Sequence, residues 1–345
     1  MAGKDEKVDR VWLEGVLREA GCLTRGHITA LEQHVNERLW STLYQVSLHY
    51  SRDAAGEQPA RLWVKRCAGQ ALLFPRSEVD YYTRDYCDCQ DAPLPRVYGA
   101  AYAAETGDYT LVLEDLTVSH GIDHPPDRAY ASGVAGALAS LHAHHWGPAR
   151  LQTHGEQLPG AAELARYGEH IEARLDRGVV LAGESLPPPL RALLPEVVGQ
   201  ARGQLAAAAE LTEGMTLVHG DTSPGNILFP YSGSGRVYLI DRQPFTWSLR
   251  VWLGVSDLAH MLVLFWPPEV RRALQQHTFE AYAAALQARG VDYSLAQIAR
   301  DYHASIVQYV CYATQWLGLR DYGEPMRSNG VRRLAWALEA YREER

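Results

Sequence analysis

The sequence has no long apolar run. Its longest, MLVLFW at 261–266, is far short of the roughly 20 residues that span a bilayer, so no membrane association is expected. The N-terminal MAGKDEKVDRVWLEGVLREAG is charged throughout and lacks the apolar stretch of a secretory signal, and a cytoplasmic protein is expected. Cysteine is scarce: there are five, an odd number, and Cys87 and Cys89 form a lone C-x-C with no second pair at metal-ligand spacing. That excludes a disulfide framework and predicts reduced thiols. Basic charge is in deficit, with 33 Lys and Arg against 41 Asp and Glu and a net charge of -8. A nucleic-acid binder would show a basic face or stripe, so nucleic acid is excluded as an expected partner, and a cationic small molecule suits the balance better. Internal repeats are absent, and the only low-complexity feature is the alanine run at 206–209. What remains is an ordinary globular composition, 47% apolar and 21% charged. A chain of 345 residues exceeds one simple core and predicts one large or two modest domains.

The local pattern changes near residue 117. A helix is expected over 8–20. STLYQVSLHYS (41–51) alternates as a strand does, and the polar turn RDAAGEQPA leads from it into RLWVKRC, a hairpin candidate. Pro75 and Ser77 signal a helix start, with Val79, Tyr82 and Tyr86 at helical spacing behind them. RVYGAAYAAETGDYTLVLEDL reads as two further strands joined by a turn at 105–108. From about residue 118 the pattern is helical, with helices expected over 127–145, 160–176, 189–210, 268–289, 294–317 and 327–343. Strand-like runs interrupt it at 217–241, where GNILF and RVYLID flank the turn PYSGSG as a second hairpin. The expected domains are therefore 1–117, a small sheet with one helix, and 118–345, mostly helical.

LVHGDTSPGNILF, residues 217–229, carries the chemistry. Gly-Asp alone is ordinary turn chemistry. Here, however, an aspartate and an asparagine stand five positions apart between two strand-like runs. Transfer of a γ-phosphoryl group needs a carboxylate to orient the attacking hydroxyl and oxygen ligands to hold magnesium against the phosphates. Asp221 and Asn226 supply both kinds of group. A second carboxylate follows fifteen residues on as Asp241, at the end of VYLID. Magnesium prefers few carboxylates plus phosphate oxygens and water, which one Asp, one Asn and a nucleotide provide. Upstream, RLWVK offers Lys65, and the next helix offers Glu78 beside the stripe of Val79, Tyr82 and Tyr86, whereas Asp80 points almost the opposite way. Glu78 is thus the better partner for an inward-facing Lys65.

These segments resemble the aminoglycoside phosphotransferase and choline kinase family, the protein-kinase-like small-molecule kinases. VHGDTSPGN is similar to its catalytic loop, LIDRQ to its metal-binding segment, LVLEDL (111–116) to its last N-lobe strand and hinge, and LASLHAHHW (138–146) to the helix that follows. LVLEDL and IDRQ, with WLGVSDLAH after them, are similar to the ecdysteroid-kinase-like branch. The resemblance covers nearly the whole chain and implies an α+β, two-lobed protein-kinase-like fold. It comprises a five-stranded antiparallel N-lobe, a hinge near 114–118 and a mainly helical C-lobe. It also implies roles: Asp221 as the catalytic base or hydroxyl-orienting group, Asn226 and Asp241 as Mg2+ ligands, Lys65 on the α and β phosphates of ATP, and Glu78 as its ion-pair partner. The adenine would bond backbone groups around Glu114 and Leu116. His219 would brace the loop rather than react.

The loop NERLWST before the hairpin has no glycine, so a glycine-rich phosphate cover is not expected, and Ser41 and Thr42 are the candidate phosphate contacts there. Asp241 is followed by Arg and Gln, not Phe and Gly, which argues against a regulated protein kinase. Asp257 reads as a carboxylate bracing the loop, and His142, His144 and His145 as packing residues rather than a metal set. Trp247, Trp252 and Trp316 are candidates for an acceptor pocket. The expected function is Mg-ATP-dependent phosphorylation of a hydroxyl on a small molecule, such as an aminoglycoside-like or other natural-product sugar, or an amino alcohol, with antibiotic modification as one context. A protein kinase or a non-catalytic nucleotide-binding module stands as the alternative.

Overall fold

The computed structural model describes residues 7–38, 40–68, 74–242, 244–319 and 326–345. The chain divides into two units. The first comprises Met1–Gln90, Leu94–His120 and Ile240–Thr246, and the second Asp91–Pro93, Gly121–Leu239 and Trp247–Arg345.

In the first unit, α1 (Arg10–Glu19) begins at an N-cap: the Asp9 carboxylate accepts the Trp12 N–H at 2.7 Å. Its buried stripe, Leu13 and Leu17, packs with Leu62, Val64 and Val112 on one face of a five-stranded sheet. The strands are β1 (Ile28–Glu37), β2 (Thr42–Tyr50), β3 (Arg61–Cys67), β4 (Val97–Ala103) and β5 (Asp108–Glu114), in the antiparallel order β1-β2-β3-β5-β4. The close approach of α1 to β4 needs Gly99, where a Cβ would lie 2.6 Å from Val16 Cγ1. The short helix α2 (Ser77–Thr83) is buried along nearly its whole length. The five-stranded antiparallel sheet and the α+β class agree with the fold expected from the sequence. β1 was not among the strands expected, because only Ile28 is fully buried along it.

The second unit holds α3 (Arg128–His144), α4 (Gly147–Thr153), α5 (Ala161–Ala182), α6 (Pro188–Arg191) and α7 (Leu194–Ala207) before the central loop, and α8 (Val255–Leu264), α9 (Pro268–Gln287), α10 (Leu295–Leu319) and α11 (Met326–Glu344) after it. The helix expected over 189–210 is two helices. Pro195 has no N–H for a bond to the carbonyl four residues back and so restarts the chain as α7. Beyond the two-residue β6 (His120–Gly121), the strands are short: β7 (Met215–Leu217), β8 (Ile227–Pro230), β9 (Tyr238–Leu239) and β10 (Val251–Leu253). β8 and β9 pair antiparallel as the expected hairpin, while β7 pairs with β10, a partner the sequence pattern did not suggest. Every residue of α8 is buried. Among the described residues, no helix is long and apolar enough to cross a membrane.

Helices α5 and α10 meet backbone to backbone. A Cβ at Gly178 would sit 1.9 Å from the Thr314 carbonyl oxygen, and one at Gly318 would sit 2.3 Å from that of Arg174. Propensity and packing therefore oppose each other: alanine is favoured over glycine by about 1 kcal/mol in an exposed helix. Gly178→Ala is expected to destabilise the protein by about 1–3 kcal/mol, because backbone on both sides must move. Urea denaturation checks this, and a stabilised variant would show that the helices do not cross this closely.

Candidate active site

Alternation along β3 directs Leu62 and Val64 into the cluster under α1 and turns Lys65 to the opposite face. There the buried Lys65 Nζ donates to Glu78 Oε1 at 2.8 Å and to Asp241 Oδ1 at 2.6 Å. The Tyr109 hydroxyl of β5 donates to the other oxygen of Glu78. Burial pushes Glu78 up to about 7; the Lys65 charge opposes this and the Asp241 charge adds to it. Burial also pulls Lys65 down, but the two carboxylates outweigh it and hold the ammonium above its ordinary range. Asp80 faces elsewhere and pairs with Arg76 and Arg84.

Asp241 has a φ of 62°, a left-handed conformation that few non-glycine residues adopt and aspartate tolerates. Its side chain is 43% exposed against 7% for Lys65. Oδ1 is engaged by Lys65, and Oδ2 has no hydrogen-bond partner among the described residues. The segment around it is fixed at three points: Asp241 to Lys65, buried Arg242 to Asp85 at 3.4 Å, and the Phe245 ring stacked on Phe74 at 4.9 Å. Gln243 of the LIDRQ segment lies outside the described residues.

Ser41 and Thr42 stand at the start of β2. The Ser41 carbonyl accepts the Arg38 N–H at 2.8 Å, closing the turn from β1, and Thr42 lies opposite Arg66 of β3, one register position from Lys65. Leu39 of that turn lies outside the described residues. At the end of β5, the Glu114 N–H donates to the Arg96 carbonyl at 2.9 Å. The Leu116 carbonyl accepts the N–H groups of Ser119 and His120. Between them Asp115, which sequence reasoning missed, is buried and accepts from Gln45, Arg61, Trp63 and the N–H and hydroxyl of Thr117. Burial alone would raise Asp115; these donors hold it below its usual value. Its D-x-T spacing to Thr117 was the available signal, the side-chain-to-backbone turn that aspartate favours.

In the second unit, the loop after β7 is held by one carboxylate. Asp257, in the first turn of α8, accepts the His219 N–H on Oδ2 at 2.6 Å and the Gly220 N–H on Oδ1 at 2.8 Å. His142 Nε2 donates to Oδ2 at 2.9 Å, and the Tyr282 hydroxyl meets His142 Nδ1 at 2.7 Å. Burial would raise Asp257, but the His142 bond and charge, with the His219 charge and the Gly220 N–H, keep it below its ordinary value. Gly254 is required beside this cluster, since a Cβ there would lie 2.8 Å from the Tyr282 hydroxyl. Gly220 turns the chain at φ 81°, which presents Asp221 at the surface of the loop. Asn226 closes the 3₁₀ turn Pro224–Asn226 and donates from Nδ2 to the Asp221 carbonyl at 3.0 Å, leaving its Oδ1 without a hydrogen-bond partner among the described residues. His219 Nδ1 accepts the Asp221 N–H at 3.3 Å, so this imidazole supports the loop.

The three tryptophans differ. Trp247 stacks on His170 at 3.8 Å, Trp252 is buried and donates to Gln308 at 2.7 Å, and Trp316 packs edge-on against Tyr312 at 5.9 Å. His142 was read as packing; it is a hydrogen-bonded brace, and no sequence spacing links it to Asp257, 115 positions away. His144 and His145 pack against each other and His154.

Solved structures with the same fold include small-molecule kinases. Among these are choline kinase LicA from Streptococcus pneumoniae (18% identity, 96% of this chain and 98% of that one, TM-score 0.54) and an ethanolamine kinase from Plasmodium vivax (12% identity, 91% and 84%, TM-score 0.59). A third is a glucosamine kinase in complex with glucosamine, ADP and inorganic phosphate (17% identity, 91% and 82%, TM-score 0.56). At these identities the likeness is one of fold, the kinase-like α+β class. Residues 84–293 match the profile of the phosphotransferase enzyme family, and the chain belongs to that family. Comparison with curated protein sequences gives no match.

Asp257 and Asp221 are expected to behave oppositely on substitution. Asp257→Ala strands three buried donors and should cost about 3–5 kcal/mol, whereas Asp221→Ala, at an exposed site, should stay within about 1 kcal/mol. Chemical denaturation of both variants checks the contrast.

A pH dependence follows from His260. The Thr222 hydroxyl donates to the Asp257 carbonyl at 2.6 Å, so its oxygen accepts from His260 Nδ1 at 3.2 Å, which places a proton on Nδ1. Burial pulls His260 down to about 3 from 6.5, with the Asp257 charge opposing. The unfolded chain therefore takes up this proton first. The stabilisation is intact above pH 6.5 and is lost as the pH falls, by up to roughly 1.4 kcal/mol per pH unit. His260→Gln should be less stable near neutrality but show a shallower decline in acid, and identical slopes in urea titrations would refute the assignment.

Proposed function

We propose that this phosphotransferase moves the γ-phosphoryl group of ATP to a hydroxyl of a small molecule with magnesium as its ion. The observation that carries the reading is the buried Lys65 ammonium clasped by Glu78 and by a solvent-open Asp241. A cation fixed in this way suits the phosphates of a nucleotide, and the exposed Asp221 on its braced loop suits the acceptor hydroxyl. The kinases of like fold, named for choline, ethanolamine and glucosamine, support a small hydroxylated acceptor. α8 begins at Val255, which leaves little chain after Asp241 for the activation segment a protein kinase would use.

Asn226 Oδ1 and Asp241 Oδ2, oxygens without partners among the described residues, fit a hard cation that takes oxygen ligands. Magnesium held by these oxygens would neutralise charge on the phosphate oxygens of the nucleotide. Asp221 orients the acceptor hydroxyl and takes its proton while the acceptor oxygen bonds to the γ-phosphorus and the bond from that phosphorus to the bridging oxygen of ADP breaks. Lys65 binds the α and β phosphates, Glu78 holds Lys65 in place, and Ser41 and Thr42 contribute from the start of β2. The adenine bonds backbone groups around Glu114 and Leu116, where the Leu116 carbonyl already accepts the Ser119 and His120 N–H groups.

Asp221→Ala is expected to lower turnover by roughly 10²–10⁴ with the fold retained, and Asp241→Ala to weaken nucleotide binding as well. ADP release and label transfer, measured against sugars, aminoglycosides, amino alcohols and a generic protein substrate, check this. Normal turnover by both variants would sink the residue assignment, and label arriving only on protein would sink the small-molecule reading.

A further inference from the structure

A cation is linked to the proposed base through a short series of packed side chains. Arg333, on α11, lays its guanidinium over the Phe265 ring with 4.3 Å to the centroid. Phe265 meets His260 at 5.2 Å, and His260 touches Thr222, the neighbour of Asp221. Tyr312 and Trp316 of α10 continue this wall, with Tyr312 5.9 Å from His260. Asp221 acts on both residues: burial and then the Asp221 charge raise Tyr312, while burial lowers Arg333 and the Tyr312 and Asp221 charges oppose that shift. Arg333 forms no hydrogen bond or ion pair with any described residue; Arg332 adds positive charge beside it, and α11 has no acidic residue between Met326 and Leu338.

We infer that Arg333 sets the charge of the acceptor: the alcohol that reaches Asp221 carries a carboxylate-type anion, and ammonium-bearing alcohols are disfavoured. This rests on the phosphotransfer reading above and narrows it. Choline and ethanolamine, named for two of the kinases of like fold, are cations in neutral water and gain from an open aromatic face. Here the face of Phe265 is already covered by a cation of the chain itself. An incoming ammonium would have to displace a guanidinium and stand beside its charge, whereas a carboxylate can accept a bidentate pair of hydrogen bonds from it. Selectivity thus comes from repulsion of one charge as well as attraction of the other.

The test uses acceptors matched in all but charge: hydroxypropanoate, propanediol and aminopropanol, with glucuronate, glucose and glucosamine as a sugar series. Transfer is read as kcat/KM, and direct binding by calorimetry, for the wild type, Arg333→Gln and Arg333→Glu. In the wild type the acid is expected to lead and the amine to trail. Arg333→Glu should shift the acid-to-amine ratio by roughly ten-fold or more toward the amine, mostly through KM, with an unchanged melting temperature; Arg333→Gln should fall between. A wild type that favours the amine, or a ratio that Arg333→Glu leaves within about two-fold, overturns the inference while the phosphotransfer reading stands. If none of the acceptors is phosphorylated but binding follows charge and inverts in Arg333→Glu, the acceptor inference holds and the phosphotransfer reading fails. Binding that is absent throughout, or indifferent to charge, overturns the inference.

Discussion

The loop after β7 is a strand-to-turn segment with too few residues to fix its own shape, and one buried carboxylate fixes it. Asp257 receives two successive loop N–H groups and an imidazole N–H, and its own carbonyl receives the Thr222 hydroxyl. Buried carboxylates are costly unless their lone pairs are filled, and this one is filled by the atoms whose positions matter. The same bonds that stabilise Asp257 hold Gly220 in its left-handed turn and so orient Asp221. His142 and Tyr282 extend the support into α3 and α9, which pack together. Loop geometry is thereby tied to the helical core of the second unit, and a change several residues from Asp221 reaches it through rigid hydrogen bonds rather than through contact.

Much of the fold was legible because periodicity reports burial. Strands β2, β3 and β5 and the long helices alternate apolar and polar residues in step with the faces they bury. β1, ITALEQHVNE, is an edge strand with Ile28 as its only fully buried residue, so its pattern has almost no apolar signal and its pairing with β2 is a matter of backbone hydrogen bonds. β10, VWL, is buried throughout and only three residues long, which periodicity cannot separate from the apolar start of α8. The break between α6 and α7 was written in Pro195, but the window 189–210 is otherwise rich in helix formers and outvoted it.

At the site, legibility divides by sequence distance. Asp221 and Asn226 lie on one short loop, so their spacing carries their relation. Glu78 was separable from Asp80 by helical phase alone, and the structure turns Glu78 to Lys65 and Asp80 to two arginines. Asp115, His142 and Arg333 have no comparable signal. Asp115 gains its meaning from β2 and β3, His142 from a carboxylate far along the chain, and Arg333 from the ring of Phe265 on the segment that follows α8. A single sequence lists residue types, whereas the partners of a buried polar group are set by tertiary folding.

The aspartates show how one residue type is sorted into different tasks by solvent and partners. Asp257 and Asp115 are buried, with both oxygens accepting bonds, and are held below their ordinary carboxylate range by their donors. Neither has an oxygen without a bond, and their role is to fix the chain around them. Asp241 shares one oxygen with Lys65 and keeps the other toward solvent in a strained left-handed backbone. Asp221 is exposed on a loop that others hold. Chemistry needs a carboxylate that is positioned yet still has capacity to bind, and rigid placement through neighbours is the way to have both. The buried acids therefore carry the cost of order, and the exposed ones stay open to solvent because that cost is met elsewhere.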